Sequence, residues 1–249
     1  MKKENLMKPI IAVELAGYMR TFNDCFRSWP NLLDYDNFDF HFFVETYTES
    51  GILPVNTGGG NTGYKVDKTD IFDFSFLKES VDVKYLGTEE TDSAVNLPGW
   101  DASRIGCMYR KILRCNKQRR KYAKNNNIDY AYVLRVRGDL FFTQKIDLPK
   151  TLDTNEIIVP ARWGYVRDNE NSGNYHYREH SWAPEDYNVV VCDQFAIAGL
   201  NAMNAYAETG EKIGDDLIEQ NIYKSLDSSN IKIERKHFKL GVYNHKSGL

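Results

Sequence analysis

The stretch YAYVLRVRGDLFF, residues 130–142, combines the apolar pattern of a buried strand with three charged side chains. Its apolar residues predict a strand that enters a protein core. The tripeptide Arg137-Gly138-Asp139 is also a sequence that cell-adhesion receptors bind, but they require it at the tip of an exposed loop. Apolar residues on both sides argue against such exposure, so we interpret the tripeptide as a strand end inside the fold.

Two interpretations of the charges in this stretch stay open. Arg135, Arg137 and Asp139 alternate along the predicted strand, which would place them on one face or edge. Ionised groups are rarely buried unless they are paired or bind a ligand, and a carboxylate flanked by two guanidiniums suits a metal-bound or directly held phosphate. The alternative is a local turn in which Gly138 provides the bend and Asp139 caps nearby backbone.

Predicted strands and helices alternate on both sides of this stretch. The other predicted strands are residues 10–15, 38–47, 81–87 and 156–161, and YNVVVCDQFAIAG, residues 187–199, predicts a further strand or a strand–helix junction. Helical spacing of apolar residues predicts a helix before residue 130, and NAMNAYAE and DDLIEQNIYKSL predict two more near the end of the chain. This alternation predicts a single α/β domain over residues 1–249, with a mostly parallel mixed sheet flanked by helices. Ligands of such sheets bind beyond the carboxyl ends of the strands.

Composition limits the classes of partner. A net charge of −3 over 249 residues does not indicate nucleic acid as a partner. No apolar run approaches the roughly 20 residues that span a bilayer, and the first residues lack the continuous apolar stretch of a secretion signal. We therefore expect a cytoplasmic protein without a transmembrane segment, for which peripheral membrane contact stays open. The four cysteines lack zinc-site spacing, which predicts buried thiols in a reducing compartment.

A basic stripe marks the helix that precedes residue 130. Residues 102–128 contain nine Lys or Arg residues and no acidic residue. Such a stripe could attract an anionic membrane or nucleic acid, although most are solvated helix faces. The stripe consists of Arg110, Arg114, Lys117 and Lys121. Lys111 lies beside the apolar face of the helix, and we expect its side chain to point into the fold.

Four segments carry a resemblance to a known family. They are IIAVELAGYMRTF at the first strand, FHFFVETY at the second, YAYVLRVRGDLFF in the middle and VCDQFAIAG late in the chain. In this order they resemble the nucleotide-sugar-dependent glycosyltransferases of the GT-A fold, in particular the bacterial and large-virus group with Arg-x-Asp in place of Asp-x-Asp. The resemblance covers residues 10–226. It implies a GT-A-like domain that transfers a sugar from a nucleotide-diphosphate sugar to an acceptor hydroxyl in glycan or surface-polysaccharide synthesis.

The resemblance implies a nucleotide site at the ends of the first two strands. Gly17 and Arg20 match the turn after the first strand, where Gly17 permits close approach of the nucleotide and Arg20 can pair with phosphate. A surface helix charge is the alternative for Arg20. Thr46 and Tyr47 would line the same pocket, with Tyr47 placed to stack on the base.

The resemblance also implies groups that bind the diphosphate. Asp139 matches the aspartate that holds a divalent ion, Mn²⁺ or Mg²⁺, between protein and diphosphate. Arg137 stands where a second carboxylate usually helps to hold that ion, so neutralisation of the diphosphate by arginine without a metal also stays open. Lys111 matches a basic residue that approaches the diphosphate, and Arg135 is a further candidate because it flanks Asp139.

The acceptor side is assigned to Asp193 in VCDQFAIAG. The resemblance places it near the sugar and the acceptor, where its carboxylate could deprotonate the acceptor hydroxyl as a general base. The alternative is an N-cap of a helix that begins at QFAIAG. Residues 162–188 have no clear periodicity, which predicts a loop, and they mix aromatic and polar side chains in a pattern that suits sugar recognition.

Gly58 and Gly63 have the separation of a phosphate loop, but Tyr64 stands where its Lys is required and no Ser or Thr follows Lys65. Residues 56–63 instead suit a flexible loop over the donor.

A non-catalytic nucleotide- or glycan-binding module of the same fold is the alternative function. Catalysis is favoured if Asp139 and Asp193 reach one pocket. If either is only a cap or an ion-pair partner, the binding module is favoured.

Overall fold

The computed structural model describes residues 8–19, 21–48, 72–90, 104–168, 175–180, 191–209 and 218–244. Its strands are β1 (Ile10–Ala16), β2 (Asp39–Tyr47), β3 (Val83–Glu89), β4 (Val133–Val136), β5 (Leu140–Phe142), β6 (Glu156–Pro160), β7 (Trp163–Asp168), β8 (Tyr175–His180), β9 (Phe195–Ala198), β10 (Lys232–Lys236) and β11 (Leu240–Asn244). Its helices are α1 (Phe22–Phe26), α2 (Phe74–Ser80), α3 (Arg104–Asn126), α4 (Leu200–Glu208) and α5 (Ile218–Ser228), with a 3₁₀ turn at Trp29–Asn31.

Seven of these strands form the main sheet, in the order β10-β6-β9-β4-β1-β2-β3. Pairing is parallel except at β9, which runs antiparallel to both β4 and β6. The predicted α/β fold with a mostly parallel mixed sheet and flanking helices is therefore confirmed. A second sheet has the order β5-β11-β7-β8. A single domain over residues 1–249 stays a prediction.

Side-chain alternation along β1 separates two cores. Ile11, Val13 and Leu15 face a core shared with α1, the 3₁₀ turn, α2 and β5. Ala12 and Ala16 face the opposite core, under α3, α4 and α5. These small residues leave room for α3 to pack closely on β1 and β2. The face beneath α3 can therefore also hold buried polar groups between sheet and helix.

The order of the strands fixes where the sheet changes direction. The chain passes from β1 to β2 to β3 in one direction, and α3 then returns it to β4 on the other side of β1. Open α/β sheets bind ligands outside the carboxyl ends of the strands at such a switch point. Here that position lies between the loop after β1 and the turn after β4.

The stretch at residues 130–142 is not one continuous strand. β4 ends at Val136, residues 137–139 form a turn, and β5 pairs with β11 in the second sheet. Gly138 packs so closely on the loop after β1 that a Cβ there would lie 3.0 Å from Met19 Sδ and 3.1 Å from the Tyr18 carbonyl oxygen. The prediction that Arg135, Arg137 and Asp139 lie on one face of a strand is therefore wrong, because strand β4 ends at Val136.

Other predictions were confirmed or corrected by particular elements. Of the two alternatives for residues 187–199, the strand is correct at Phe195–Ala198, which forms β9 and pairs with β4 and β6, and the segment QFAIAG does not begin a helix. The region at residues 162–188, predicted as a loop, contains β7 and β8. Cys25, Cys115 and Cys192 are buried free thiols, as predicted. Arg20, residues 56–63 and the side chain of Cys107 lie outside what the structure describes.

None of the helices in the described ranges is long and apolar enough to cross a bilayer.

The junction of β9 and α4 offers a test of the packing. Gly199 caps α4, and a Cβ there would meet the carbonyl oxygen of Asp153 and lie 2.6 Å from the Thr154 Cα. Both neighbours are backbone and cannot rotate away. We expect Gly199→Ala to lower the free energy of unfolding by about 1–3 kcal/mol or slightly more and the melting temperature by roughly 2–12 °C.

Lys121→Ala, on the exposed face of α3, is the control, and its effect should stay within about 0.5 kcal/mol. Calorimetry measures the melting temperatures of both variants for comparison with the wild type. A Gly199→Ala protein that melts with the wild type would contradict the packing described for this junction.

Candidate functional site

Most of the predicted site residues meet at the carboxyl ends of β1, β2 and β4. We call this region the strand-end site; it comprises residues 17–19, Thr46, Tyr47 and the turn 137–139. Lys111 reaches it from α3. Asp193 reaches it because β9 runs antiparallel to β4, so that the start of β9 lies beside the end of β4, and the Arg137 amide donates to the Gln194 carbonyl at 3.1 Å.

Gly17 makes the turn that opens the strand-end site. Its φ of +121° is a conformation that side chains other than glycine rarely adopt. Its amide donates to the Glu45 carbonyl of β2 at 3.0 Å, and a Cβ at this position would meet nothing within 4 Å among the described residues. No described residue covers the backbone here, which is what close approach of a ligand requires.

Lys111, Tyr47 and Tyr18 form a column at the end of β2. The fully buried Lys111 ammonium donates to the Thr46 carbonyl at 2.8 Å and lies 3.8 Å from the centre of the Tyr47 ring. The Tyr18 ring stacks on Tyr47 with the centroids 4.3 Å apart and the planes 20° apart. These two neighbours cover Tyr47, which is only 2% exposed. The predicted stacking of Tyr47 on a base does not fit this arrangement, whereas the partly exposed Tyr18 ring can serve that purpose.

Glu89, at the end of β3, gathers three cations of α3 next to this column. Arg110 donates to both of its carboxylate oxygens at 3.0 Å, and the Lys111 and Arg114 side chains lie 3.1 and 3.5 Å from Oε2. Burial raises the pKa of Glu89, but Lys111 and Arg110 lower it by more, so the net shift is downward. Burial lowers the pKa of Lys111 despite the opposing effect of Glu89.

The charges of this cluster do not cancel. Glu45 also acts on Lys111 electrostatically, and its Oε1 accepts a hydrogen bond from Tyr85 at 2.7 Å. Three cations and two carboxylates leave a net positive charge, which favours an anionic ligand at the adjoining strand ends. Two members of the predicted basic stripe, Arg110 and Arg114, belong to this cluster and not to an independent binding face.

Asp139 is occupied by Arg137. Arg137 Nε donates to Oδ1 at 2.9 Å and Nη2 to Oδ2 at 2.7 Å, and Asp139 is 3% exposed. Burial lowers the pKa of Arg137, but Asp139 and Asp193 raise it by more. A carboxylate held on both oxygens by a guanidinium does not fit the predicted divalent metal site. In the described part of the chain, no group of three or more His, Cys, Asp or Glu side chains could complete one.

Arg135 does not face the strand-end site. Its side chain is fully buried and points beneath the strand ends, where the guanidinium donates to the carbonyls of Val136 and, at 3.1 Å, Ala16. A ligand could reach it only by displacing the ends of β1 and β4. Its predicted contact with the donor phosphates therefore does not fit its position.

Asp193 precedes β9 and is partly exposed. Its negative charge acts on Arg137, Tyr109 and Glu219, which places it among groups from the turn after β4, from α3 and from α5. The alternative in which it caps a helix is wrong, because β9 follows it. Gln194 beside it is 8% exposed, and its Oε1 has no hydrogen-bond partner in the described structure. Asp193 and Gln194 therefore place a carboxylate and a side-chain amide at the end of β4. Of these two groups, it is the amide oxygen of Gln194 that has no hydrogen-bond partner in the described structure.

Sequence reasoning missed Glu89 and Tyr18. The third strand was predicted to end at residue 87, so Glu89 was counted as loop, although an acidic residue at a strand end opposite a basic helix was the available signal. Tyr18 follows Gly17 directly, and an aromatic residue after the predicted turn could have been noted. Arg20 lies outside the described residues.

No family model and no curated protein matches the chain. Among solved structures, the chain is similar to a nucleoside-diphosphate-sugar pyrophosphorylase from Vibrio cholerae RC9, with 13% identity and a TM-score of 0.41 over 95% of this chain and 92% of that one. At this identity and TM-score, the likeness assigns neither a family nor an activity.

The Arg137–Asp139 pair predicts a stability effect that a ligand contact alone would not cause. In Asp139→Asn, the largely buried guanidinium loses its counter-ion, and we expect the free energy of unfolding to fall by about 2–4 kcal/mol. Urea unfolding measures the change. The double variant Arg137→Met/Asp139→Asn should recover part of this loss, because it buries no unpaired charge. A single variant as stable as the wild type would contradict the ion pair.

The Glu89 cluster predicts a pH effect. The pKa of Glu89 is lower in the folded state than its ordinary value of 4.5, so the unfolded chain binds more protons between the two values. The contribution of Glu89 is present above pH 4.5 and is lost as the pH falls through the folded-state pKa. The slope of the free energy of unfolding against pH is proportional to the difference in bound protons between the unfolded and folded states. In Glu89→Gln, this difference in the acid range should decrease by up to about one proton. Urea titrations at several pH values measure it; an unchanged slope would contradict the cluster.

Proposed function

We propose that this protein is a glycosyltransferase that moves a sugar from a nucleotide-diphosphate sugar to an acceptor hydroxyl, in glycan or surface-polysaccharide synthesis. One observation carries the proposal: the net positive cluster around Lys111 and the partly exposed carboxylate of Asp193 lie at the same edge of the sheet, on either side of its switch point. The resemblance of four segments to GT-A glycosyltransferases supports the same conclusion.

The donor would lie on the side of β1 and β2. Gly17 offers open backbone, and the exposed part of Tyr18 offers a ring for the base. The diphosphate would lie near the cations Arg110, Lys111 and Arg114, whose three charges exceed the two of Glu89 and Glu45. Lys111 is fully buried and would act on the ligand through its charge, without contact. Because these groups are already fixed by Glu89 and the Thr46 carbonyl, they can stabilise a diphosphate at little reorganisation cost.

The reaction would use this chain's own charges. The acceptor oxygen attacks the anomeric carbon, the bond from that carbon to the diphosphate oxygen breaks, and the nucleoside diphosphate leaves with the electron pair. Asp193 takes the proton of the acceptor hydroxyl as general base. Arg110 and Lys111 neutralise the negative charge that develops on the leaving group. No metal ion is assigned to Asp139, because Arg137 holds both of its oxygens.

A non-catalytic nucleotide- or glycan-binding module of the same fold is the second candidate. The observation that favours it is again the Arg137–Asp139 pair, which takes Asp139 out of the set of reactive carboxylates. The two candidates predict the same nucleotide binding and differ only in turnover, so Asp193 decides between them.

Nucleotide binding is the first expected outcome. Calorimetric titration with UDP, GDP, CDP and dTDP, each with Mn²⁺ or with EDTA, should give saturable binding of one nucleotide that persists in EDTA. Lys111→Met, which removes the ammonium but keeps the length of the side chain, should weaken binding by about tenfold, since it removes a positive charge that attracts the anionic ligand through space. Wild-type protein that binds none of the four would refute the proposed donor site.

Turnover in Asp193→Asn is the second expected outcome. With the sugar donor of the nucleotide that binds, the variant should lose about 10²–10⁴-fold in kcat, as is typical of a general base, and keep the nucleotide affinity of the wild type. Asp227→Asn, an exposed carboxylate on α5, is the matched control. Full activity in Asp193→Asn would reject the assigned base. Nucleotide binding without transfer from any tested donor would establish the binding module.

A further inference from the structure

Arg135 is a fully buried guanidinium in the middle of the sheet. It lies on β4 directly beside Glu14 of β1 in the parallel register, and both side chains occupy the face beneath α3. From there the guanidinium extends toward the carboxyl ends of the strands. One nitrogen donates to the carbonyl of Val136, and the other donates to the carbonyl of Ala16 at 3.1 Å. Arg135 thus joins the last residue of β1 to the last residue of β4.

The position of these carbonyls explains why a charged side chain occurs here. An ion in the core costs several kcal/mol of desolvation, and an apolar side chain of similar size would often be at least as stable. Ala16 and Val136, however, are the points where the ladder of the two strands ends, and a buried carbonyl without a donor is itself costly. The planar guanidinium has donors in a fixed fork and can satisfy two carbonyls on different strands at once.

A buried network beneath Arg135 contains the Glu14 carboxylate, whose charge Arg135 shares with Arg119. The Glu14 carboxylate is inaccessible to solvent; its Oε1 accepts from Arg119 Nε at 2.6 Å and from the Asn116 amide at 3.2 Å. Arg119 also donates to Asn204 of α4 at 2.9 Å. Arg135 acts on Glu14 electrostatically. The network therefore anchors the two strands to α3 and α4 and leaves the Arg135 nitrogens directed at the strand ends.

The residues that follow the two carbonyls belong to the strand-end site. Gly17 comes directly after Ala16, and its amide donates to the Glu45 carbonyl. Arg137 comes directly after Val136, and its amide donates to the Gln194 carbonyl. A change in the separation of the two carbonyls would move both segments and strain both amide hydrogen bonds.

We propose that Arg135 is a positioning residue: its two hydrogen bonds, the Arg135 bridge, hold the loop after β1 and the turn after β4 at the separation that the ligand site requires, without contact to the ligand. The bridge itself depends only on the geometry of the strand ends. Its consequence for nucleotide binding rests on the proposed function.

Amide hydrogen exchange, followed residue by residue by NMR, tests the bridge without any ligand. In Arg135→Lys, the ammonium is a point charge and cannot supply the fork, so protection of the Gly17 and Arg137 amides should fall at least about tenfold, as for the loss of one hydrogen bond. Protection of the Met203 amide, inside α4, should change only with global stability.

Arg119→Lys is the matched control, because it makes the same substitution in the same buried network but does not touch the strand ends. It should lower global stability without selective exposure of the Gly17 and Arg137 amides. If Arg135→Lys does not fold, Arg135→Met, which buries no charge, takes its place. Unchanged protection in the Arg135 variants, or the same selective loss in Arg119→Lys, overturns the proposal.

Nucleotide titration of the same variants tests the consequence. At a temperature where all variants are folded, Arg135→Lys should bind the nucleoside diphosphate at least about tenfold more weakly than the wild type, equivalent to about 1.4 kcal/mol, and Arg119→Lys should bind like the wild type. Equal affinity in Arg135→Lys overturns the positioning role. Failure of the wild type to bind any nucleotide refutes the proposed function, while the exchange data still decide the bridge.

Discussion

Parallel pairing of β4 with β1 brings together two chain segments that are more than 100 residues apart, and the strand-end site depends on it. Glu14 and Arg135 come into register in that pairing, and the segments that begin with Gly17 and Arg137 emerge side by side. The long helix α3 makes the pairing possible, because a parallel strand needs a crossover connection. The same crossover places Lys111 at the end of β2. One topological step therefore determines where the chemistry-bearing side chains meet.

The buried charges of this protein oppose its stability. Glu14, Arg119, Arg135 and Lys111 are each less than 4% exposed, and burial of ions is favourable only where the partners are well placed. Each of them has partners on a different element: Arg119 bonds Glu14, Lys111 bonds Glu89, and Arg135 bonds two backbone carbonyls. Such a set is expected where a site must be held rigid, because proteins accept local costs in stability at functional positions.

The sequence was sufficient for the central strands of the main sheet and for the edge at which the site lies. Apolar runs identify β1, β2 and β4 because these central strands are buried on both faces and contain few polar residues. They do not identify β10, whose residues are KIERK and which lies at the edge of the main sheet with both ends exposed. Its register comes from pairing with β6, a tertiary contact that local pattern does not contain.

Side-chain orientation at the site was less predictable than location. Alternation assigns Arg135, Arg137 and Asp139 to one face only if the strand continues, and the turn at residues 137–139 removes that condition. Tyr47 was recognised as a residue at the site, but its neighbours Lys111 and Tyr18 are separated from it by 64 and 29 positions, as the residue numbers show. Contacts of this kind depend on how α3 and the loop after β1 pack on β2.

The Arg137–Asp139 pair determines the charge balance of the turn at residues 137–139. Two carboxylates at residues 137 and 139 would repel each other and would need a cation between them. The arginine at residue 137 provides this positive charge as a side chain of the protein itself. Its two hydrogen bonds to Asp139 satisfy both carboxylate oxygens. The positive charge of Arg137 is then neutralised by Asp139 within the turn. Charge for an anionic ligand must therefore come from another element, and the cluster of Arg110, Lys111 and Arg114 on α3 has the excess to supply it.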